Sequence, residues 1–415
     1  MRRACQRIIG SIMIAFIPVL AFAQHSDTLR DRDPDLDGAR KLADEMQEAN
    51  FHSRSFYLWS RLRIADAGYT ETAYLPTDEQ SGGLALRVEA PQRIYYTPHR
   101  KIVFTADAVP AYNVLSRGDE DDNRVDYFLR GDVHLLFNHL YLDVYTSRAD
   151  QLRAYVAVNE LARARNDETG MAGEFKYSSR TSVQFAARYR EETFPDDRFD
   201  PDDETPLALL DRTERNGRAS FVHKTFPLTA LFVSAEASDY GFQNATFKDS
   251  ARRWFGAGAQ YNSGRTRVRV EAGPATLDFN DPTQHDFSGA IGSIRAARLN
   301  GRWTYTAGAG RDIAFSIVQN NNYYVVDNLQ AGVDYSATRR LTLRAGVVAE
   351  RHDYDVPLDD GRLRRDTVSF PSVGFEYAIS RLRVGIDAGW YERDSTAGGD
   401  TDSGIRYVLR LSFVP

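Results

Sequence analysis

Cysteine is almost missing: of 415 residues only Cys5 is one. It sits inside a basic N-terminal stretch, too early for a lipid anchor. A processed chain would hold no disulfide and no thiolate site. Methionine is scarce as well, with 4 residues. Long apolar runs are absent beyond the first 23 residues, whereas a membrane-spanning helix needs about 20 in a row. Mean hydropathy is −0.48 and 27% of residues are charged. These absences exclude a bundle of membrane helices. Positive charge is not in surplus either. The formal charge is −6, and losing Arg2, Arg3 and Arg7 takes it to −9, so nucleic acid is not an expected partner. GxSxG, P-loop and clustered metal-ligand motifs do not occur. The chain reads as a non-enzyme with no cofactor and no metal.

What is present begins with a targeting pattern. MRRACQR is basic, IIGSIMIAFIPVLAFA is apolar, and Ala21-Phe22-Ala23 has the form of a signal-peptide cleavage site. Residues 1–23 are therefore expected to be a signal peptide and 24–54 a polar periplasmic leader. In that leader Ala39, Leu42, Ala43 and Met46 predict one short helix. DPDLDGARKLAD (33–44) imitates the start of a calcium loop, but Asp44 stands where the bidentate Glu belongs. A solvated leader is the simpler reading.

From residue 55 onward the pattern has period two. LALRVEA (84–90), TRVRVEAG (266–273), LTLRAGVV (341–348), RLRVGIDAGW (381–390) and GIRYVLRLSF (404–413) all alternate apolar with polar residues. With 22 Tyr and 23 Phe the composition suits strands. Short connections such as TPHRK (97–101), FNHL (137–140), YSSRT (177–181), YNSGRT (261–266) and AISRL (378–382) take turns with long ones. The long ones are rich in acid, Gly or Asn: GDEDDNR (118–124), PDDRFDPDDETP (195–206), DPTQHD (281–286), QNNN (319–322) and PLDDGRLRR (357–365). Short turns at one end and long loops at the other are the pattern of outer-membrane barrels. The spacing predicts 18 antiparallel strands over 55–415, all-β and up-and-down. It leaves 16 open, because 148–172 could hold either a strand or a loop helix.

The alternation also assigns solvents. Val268 and Val270 share one parity with lipid-facing rows, and Tyr189, Tyr261, Trp303, Tyr377 and Trp390 lie near the ends of such rows, as interface girdles do. The opposite parity puts a balanced set of charges in an aqueous lumen. The pore-lining candidates are Arg87, Glu89, Arg130, Asp132, Arg188, Arg190, Arg267, Arg269, Glu271, Arg344, Glu350, Arg381, Arg383, Asp387, Arg406 and Arg410. Asp107, Asp143, Glu236, Asp334 and Glu376 join them. Such a wall either cross-links the barrel or forms a constriction that orients polar solutes. Gly256, Gly258, Gly308, Gly310 and Gly385 fall on the same parity and are expected to permit strand bending. A hydrolase would need a nucleophile beside a base. The nearest candidates, His352 beside Asp353 and Asp355, or His134 near Asp132, are tied to no serine.

Two resemblances add to this. Gly404, Tyr407, Leu409 and Phe413 resemble the C-terminal signal read by the outer-membrane assembly machinery, although Val414 and Pro415 follow the aromatic. FYLWSRLRIADAGYTETAYLPTD (56–78) and the turns YSSRT, YNSGRT and YSATRRL resemble the β-barrel porin family of exopolysaccharide export operons, the beta-barrel porin 2 type. That resemblance implies an outer-membrane channel of a Gram-negative bacterium, associated with surface or exopolysaccharide secretion. Its partners would be outer-membrane lipid and lipopolysaccharide, and components of the export system. The alternative is a structural or surface-interaction barrel with an occluded lumen. Residues 24–54 discriminate, because they either enter the lumen or hang below it.

Overall fold

The computed structural model describes residues 38–70, 83–117, 120–155, 160–195, 207–317, 321–357, 361–397 and 402–413. The signal-peptide and 33–37 readings lie outside these residues, as does most of the 195–206 loop. Helix α1 spans Gly38–Gln47. The strand segments begin with β1 Phe51–Ser53, β2 Phe56–Ser60, β3 Leu62–Thr70, β4 Gly83–Glu89, β5 Gln92–His99, β6 Ile102–Arg117 and β7 Glu120–Leu136. They continue with β8 Leu140–Tyr155, β9 Glu160–Lys176, β10 Thr181–Thr193, β11 Arg212–Phe226, β12 Thr229–Phe242, β13 Ser250–Asn262 and β14 Thr266–Phe279. The last are β15 Phe287–Asn300, β16 Trp303–Phe315, β17 Tyr323–Ser336, β18 Leu341–Pro357, β19 Leu363–Ile379, β20 Leu382–Ser395 and β21 Asp402–Phe413.

These segments make a closed antiparallel barrel of 18 strands. From β6 to β21 each strand pairs with the next. β3 pairs with β4 and β2 with β5, β4 and β5 both pair with β6, and β21 closes the sheet on β3, with Phe413 opposite Leu62 and Tyr407 opposite Tyr69. Two wall strands are each broken once. β2 and β3 are one strand interrupted at Arg61, and β4 and β5 are one strand interrupted at Ala90-Pro91. Pro91 has no N–H for the ladder, but the pairing is bridged: the amide of Arg61 donates to the Pro91 carbonyl and that of Ala90 to the Pro110 carbonyl, both at 3.0 Å. β1 then pairs with β2, Phe51 opposite Leu58, beyond the end of β21.

The eight short connections all fall between paired strand ends, as their turn chemistry requires. The doubtful stretch 148–172 is strand on both sides, β8 and β9, which decides for 18 over 16. One long connection is tighter than its sequence implies: Arg117 pairs with Glu120, so most of the acidic 118–124 segment is strand. Several strands reach 17 residues. A bilayer needs only about 9–11, so the wall stands above the membrane at its long-loop end.

The outer face shows where the membrane lies. Val270, Ile294, Leu329, Val373 and Ile386 are exposed to it, with Trp303, Tyr305 and Tyr377 toward the short turns and Tyr69, Tyr189, Trp390 and Tyr407 higher up. Above that band runs an ionic ladder across four strands. Arg311 meets Asp327 at 3.2 Å, Asp327 meets Arg351 at 2.6 Å, Arg351 meets Asp353 at 3.0 Å, and Asp353 meets Arg365 at 2.6 Å. A closed sheet with an apolar belt has all its edges satisfied without water, which is the condition for spanning lipid. The protein is an outer-membrane barrel.

Candidate functional site

Cross-strand pairs share a face, so the register fixes which side chains enter the barrel. Arg87, Glu89, Arg130, Asp132, Arg188, Arg190, Arg267, Arg269, Glu271, Arg344, Glu350, Arg383, Asp387, Arg406 and Arg410 all lie on inward parities. Arg381 does not. Ile379 pairs with Leu382, so Ser380 and Arg381 are the two residues of a tight turn. Ser380 takes φ of 54° and Arg381 is exposed beyond the strand end. The sequence pattern extended the alternation one residue too far into that turn.

The inward charges divide into two kinds of wall. Through the middle of β10–β13 they are dry, while Arg267 and Arg269 on β14 and Lys176 on β9, nearer the short turns, are open. Arg188 meets Glu214 at 2.6 Å, Arg190 meets Glu192 at 3.0 Å, and Arg212 meets Glu192 at 2.7 Å. Arg218 on β11 reaches Glu271 on β14 at 2.9 Å and Glu236 at 3.5 Å, and its guanidinium lies 5.2 Å from the ring centroid of Trp254. The Arg218, Glu236 and Glu271 side chains are at most 2% exposed. Around them Ser220 and Ser234 share a hydrogen bond of 2.7 Å, and Asn216 donates to Ser238 at 2.7 Å. Gly256 and Gly258 belong to this packing rather than to a bend. A Cβ on Gly256 would overlap the Trp254 ring and one on Gly258 the Phe232 ring.

Along β18–β21 and β3–β5 the charges toward the short-turn half are wetter, although Arg364, Asp366 and Arg393 near the long loops are sealed. Arg383 is 46% exposed and meets Glu376 at 3.5 Å. Arg410 pairs with Asp387, Arg406 with Asp66 across the closing seam, and Arg63 with Glu89. Arg344 donates to Glu376 at 2.7 Å. Arg87 bridges Glu89 at 2.6 Å and Asp126 at 2.7 Å. The two signs stay balanced on this side as well.

A partition separates the walls at the long-loop end. β15 pairs with β16 only as far as Gly292 opposite Arg311, and beyond that the β16–β17 tip leaves the wall. Both of its faces are buried. Phe315 stacks edge-on against Tyr240 and Phe242 at centroid distances of 4.8 and 4.9 Å, and Tyr323 meets Phe279 and Phe287 at 6.0 Å each. The opposite face sets Tyr324 against His352 at 4.8 Å and Tyr354 at 5.1 Å. Leu207–Leu210, Ile317, Leu277 and Ile291 complete the apolar cluster. Arg252 on β13 holds the tip through Asp312 at 2.6 Å, and Lys248 in the β12–β13 loop donates to the Ser316 carbonyl. Burial, and then the nearby Arg212 charge, push the Lys248 ammonium down to about 7.

At the short-turn end α1 lies on the inner wall. Leu42 packs with Tyr95 and Val103, flanked by Met46 and Leu136. Glu45 accepts from Arg93 at 3.2 Å and from the Tyr95 hydroxyl at 3.3 Å. The helix buries its apolar face here because Tyr95 and Val103 are the apolar members of the inward rows nearest the turns.

His352 and Asp353 are adjacent in sequence but face opposite sides, His352 inward beside Glu350 at 3.2 Å and Asp353 outward in the ionic ladder. That separation dissolves the hydrolase candidate at this position. Residues missed by the sequence reading are Arg212, Glu214, Arg218 and Arg252, and the partition itself. The partition did leave a signal. IAFSI (313–317) and YYVV (323–326) are apolar on both parities, and a run buried on both faces reads that way.

Size, closure and a charged interior define an outer-membrane barrel of porin dimensions, since barrels of 16–18 strands enclose an aqueous channel. No protein-family model matches the sequence, and no curated protein does. Among solved structures, a BenF-like porin from Pseudomonas fluorescens Pf-5 is similar over 86% of this chain and 99% of its own, with 10% identity and TM-score 0.49. Pseudomonas aeruginosa OccK7 (OpdD) is similar over 88% and 99%, with 12% identity and TM-score 0.49. A bacterial polysaccharide outer membrane secretin is similar over 86% and 98%, with 12% identity and TM-score 0.35.

Proposed function

We propose that this chain is an outer-membrane channel whose aqueous path follows one side of the barrel, along β18–β21 and β3–β5, and that it serves secretion of a surface polysaccharide. The observation that carries the channel is the unequal solvation of the inward charges. The ion pairs at the middle of the β10–β13 wall, Arg188 with Glu214 and Arg218 with Glu236 and Glu271, are sealed, and the flanking Arg267, Arg269 and Lys176 open to water on that side. On the other side Arg383, Arg410, Asp387 and Arg63 keep a quarter to a half of their side-chain surface open. Polar groups kept wet inside a lipid-spanning barrel need water, and continuous water is a path for solutes. The pore-lining set is then Arg63, Glu376, Arg383, Asp387, Arg406 and Arg410, with the rest of the charged parity as scaffold. The polysaccharide rests on the resemblance of residues 56–78 and of the recurring turns. Recognition by the assembly machinery would use Tyr407, Leu409 and Phe413, the outward row of β21.

Reconstituted in a planar bilayer, the mature protein should give ohmic steps with weak ion selectivity, because the wet charges nearly cancel. Deleting residues 24–54 removes α1 from the inner wall and should raise conductance without unfolding the barrel. The inserted partition favours a second reading, a structural barrel with a closed lumen. It prevails if neither form conducts while both remain heat-modifiable.

A further inference from the structure

We propose that Asp132, His134 and Asp143 form a binding site for a divalent transition-metal ion, Zn2+ or a close analogue, on the inner wall near the short-turn end. Asp132 and His134 are two apart on β7 and so share a face. His134 pairs directly with Asp143 on β8. One ligand atom from each residue lies within 4.8 Å of the others. His134 and Asp132 are buried, and Asp143 nearly so.

The hydrogen bonds aim these atoms at one point. The Thr105 hydroxyl donates to Asp132 Oδ2 at 3.1 Å. Its own oxygen is then free to accept from His134 Nε2, 2.9 Å away. That fixes the imidazole tautomer with a lone pair on Nδ1. An outer partner that takes the other ring N–H is what a metal-ligating histidine ordinarily has. Nδ1 faces Asp143 Oδ1 at 3.3 Å, and that oxygen is buried and accepts no hydrogen bond. The Tyr141 hydroxyl, 3.2 Å from Nδ1, is the other polar group at this place. A cation between Nδ1 and Oδ1 would relieve the two facing lone pairs and leave that hydroxyl beside it as a further oxygen.

The separation suits one. Ligands about 2.1 Å from zinc in a tetrahedron stand about 3.4 Å apart. Asp132 closes the remaining gap by turning its carboxylate, a torsion with a broad minimum. Arg130 does not fill the place. It takes Asp132 Oδ1 at 2.5 Å and lies 3.6 Å from Asp143 Oδ2, the oxygens on the far side. Two carboxylates and one imidazole with a fourth position open suit a borderline dication.

The test is a titration of the full-length folded barrel, stripped with chelator, with ZnCl2 followed by calorimetry, and with CoCl2 followed by visible absorption. The native protein should take up one Zn2+ saturably and give the d–d bands of bound Co2+. His134→Gln and Asp143→Asn should each weaken uptake at least tenfold and remove the bands, while His139→Gln, in a nearby turn, leaves both unchanged. A native barrel with no saturable uptake overturns the site, because a proton shared between His134 and Asp143 would then fill the gap. Uptake that survives both variants in heat-modifiable barrels overturns it equally.

Discussion

The two inner walls use the same chemistry to different ends. On β9–β14, Arg218 holds Glu236 and Glu271 in a place that water does not reach. On β20–β21, Arg410 holds Asp387 where water does reach, with 33% and 24% of the side chains exposed. A sealed ion pair gives little net stability, yet losing one member strands a charge in low dielectric. A wet pair is screened and replaceable, and its charge stays available to a passing solute. The comparison teaches that parity says which residues enter a barrel but not which of them meet the lumen water.

The sharpest way to break the comparison is to cut one partner from each wall. Arg218→Ala should destabilise the barrel by about 3–5 kcal/mol, since Glu236 and Glu271 are left buried together. Arg410→Ala should cost no more than about 1 kcal/mol and should instead shift ion selectivity toward cations. Urea unfolding midpoints and reversal potentials read the two effects, and equal destabilisation would erase the distinction between the walls.

A smaller effect tests the outer boundary of the dry wall. Val270→Arg places a charge on the lipid side of β14 and should cost about 2–4 kcal/mol, depending on depth. Arg269→Gln, one residue away and facing in, should assemble normally, because Glu271 keeps Arg218. Folding yields into vesicles distinguish them, and the reverse order would mean that the β14 register is wrong.

The smallest expected change is at the partition. Lys248 holds its proton less tightly in the folded chain than in the unfolded one, about 7 against an ordinary 10.5. The unfolded state therefore binds more protons between those values, and stability rises with pH there. Below about pH 7 both states are protonated and the contribution is lost. The β12–β13 loop should then release the β16–β17 tip more readily in acid, read as hydrogen exchange at residues 313–317. Lys248→Met should flatten that pH dependence. A tip that exchanges equally at pH 6 and pH 9 in the native protein would remove Lys248 from the latch.

Much of the barrel was legible in the sequence because alternation and turn chemistry are local. TRVRVEAG states its own faces, and YNSGRT its own turn. The 18 strands follow from counting such units. What was not legible is set by neighbours far along the chain. Nothing local to Arg218 tells that Glu271, three strands away, will seal it, or that Arg410 will stay wet. The partition lay between, since its doubly apolar runs mark burial on both faces but not where the tip goes. Asp132, His134 and Asp143 illustrate the same limit. The spacing of the first two is visible in sequence, but the third arrives only through the β7–β8 register.

The central claim is that water and ions follow the β18–β21 side and not the middle of the β10–β13 wall. Cysteine accessibility tests it most directly, because Cys5 is the one native cysteine and lies in the expected signal segment. Asp387→Cys and Ser220→Cys would be compared in reconstituted single channels exposed to a charged methanethiosulfonate reagent. The account predicts rapid modification at 387 with a step change in conductance, and no modification at 220 while the barrel is folded. Modification at 220 as fast as at 387, or a current insensitive to modification at 387, would contradict it.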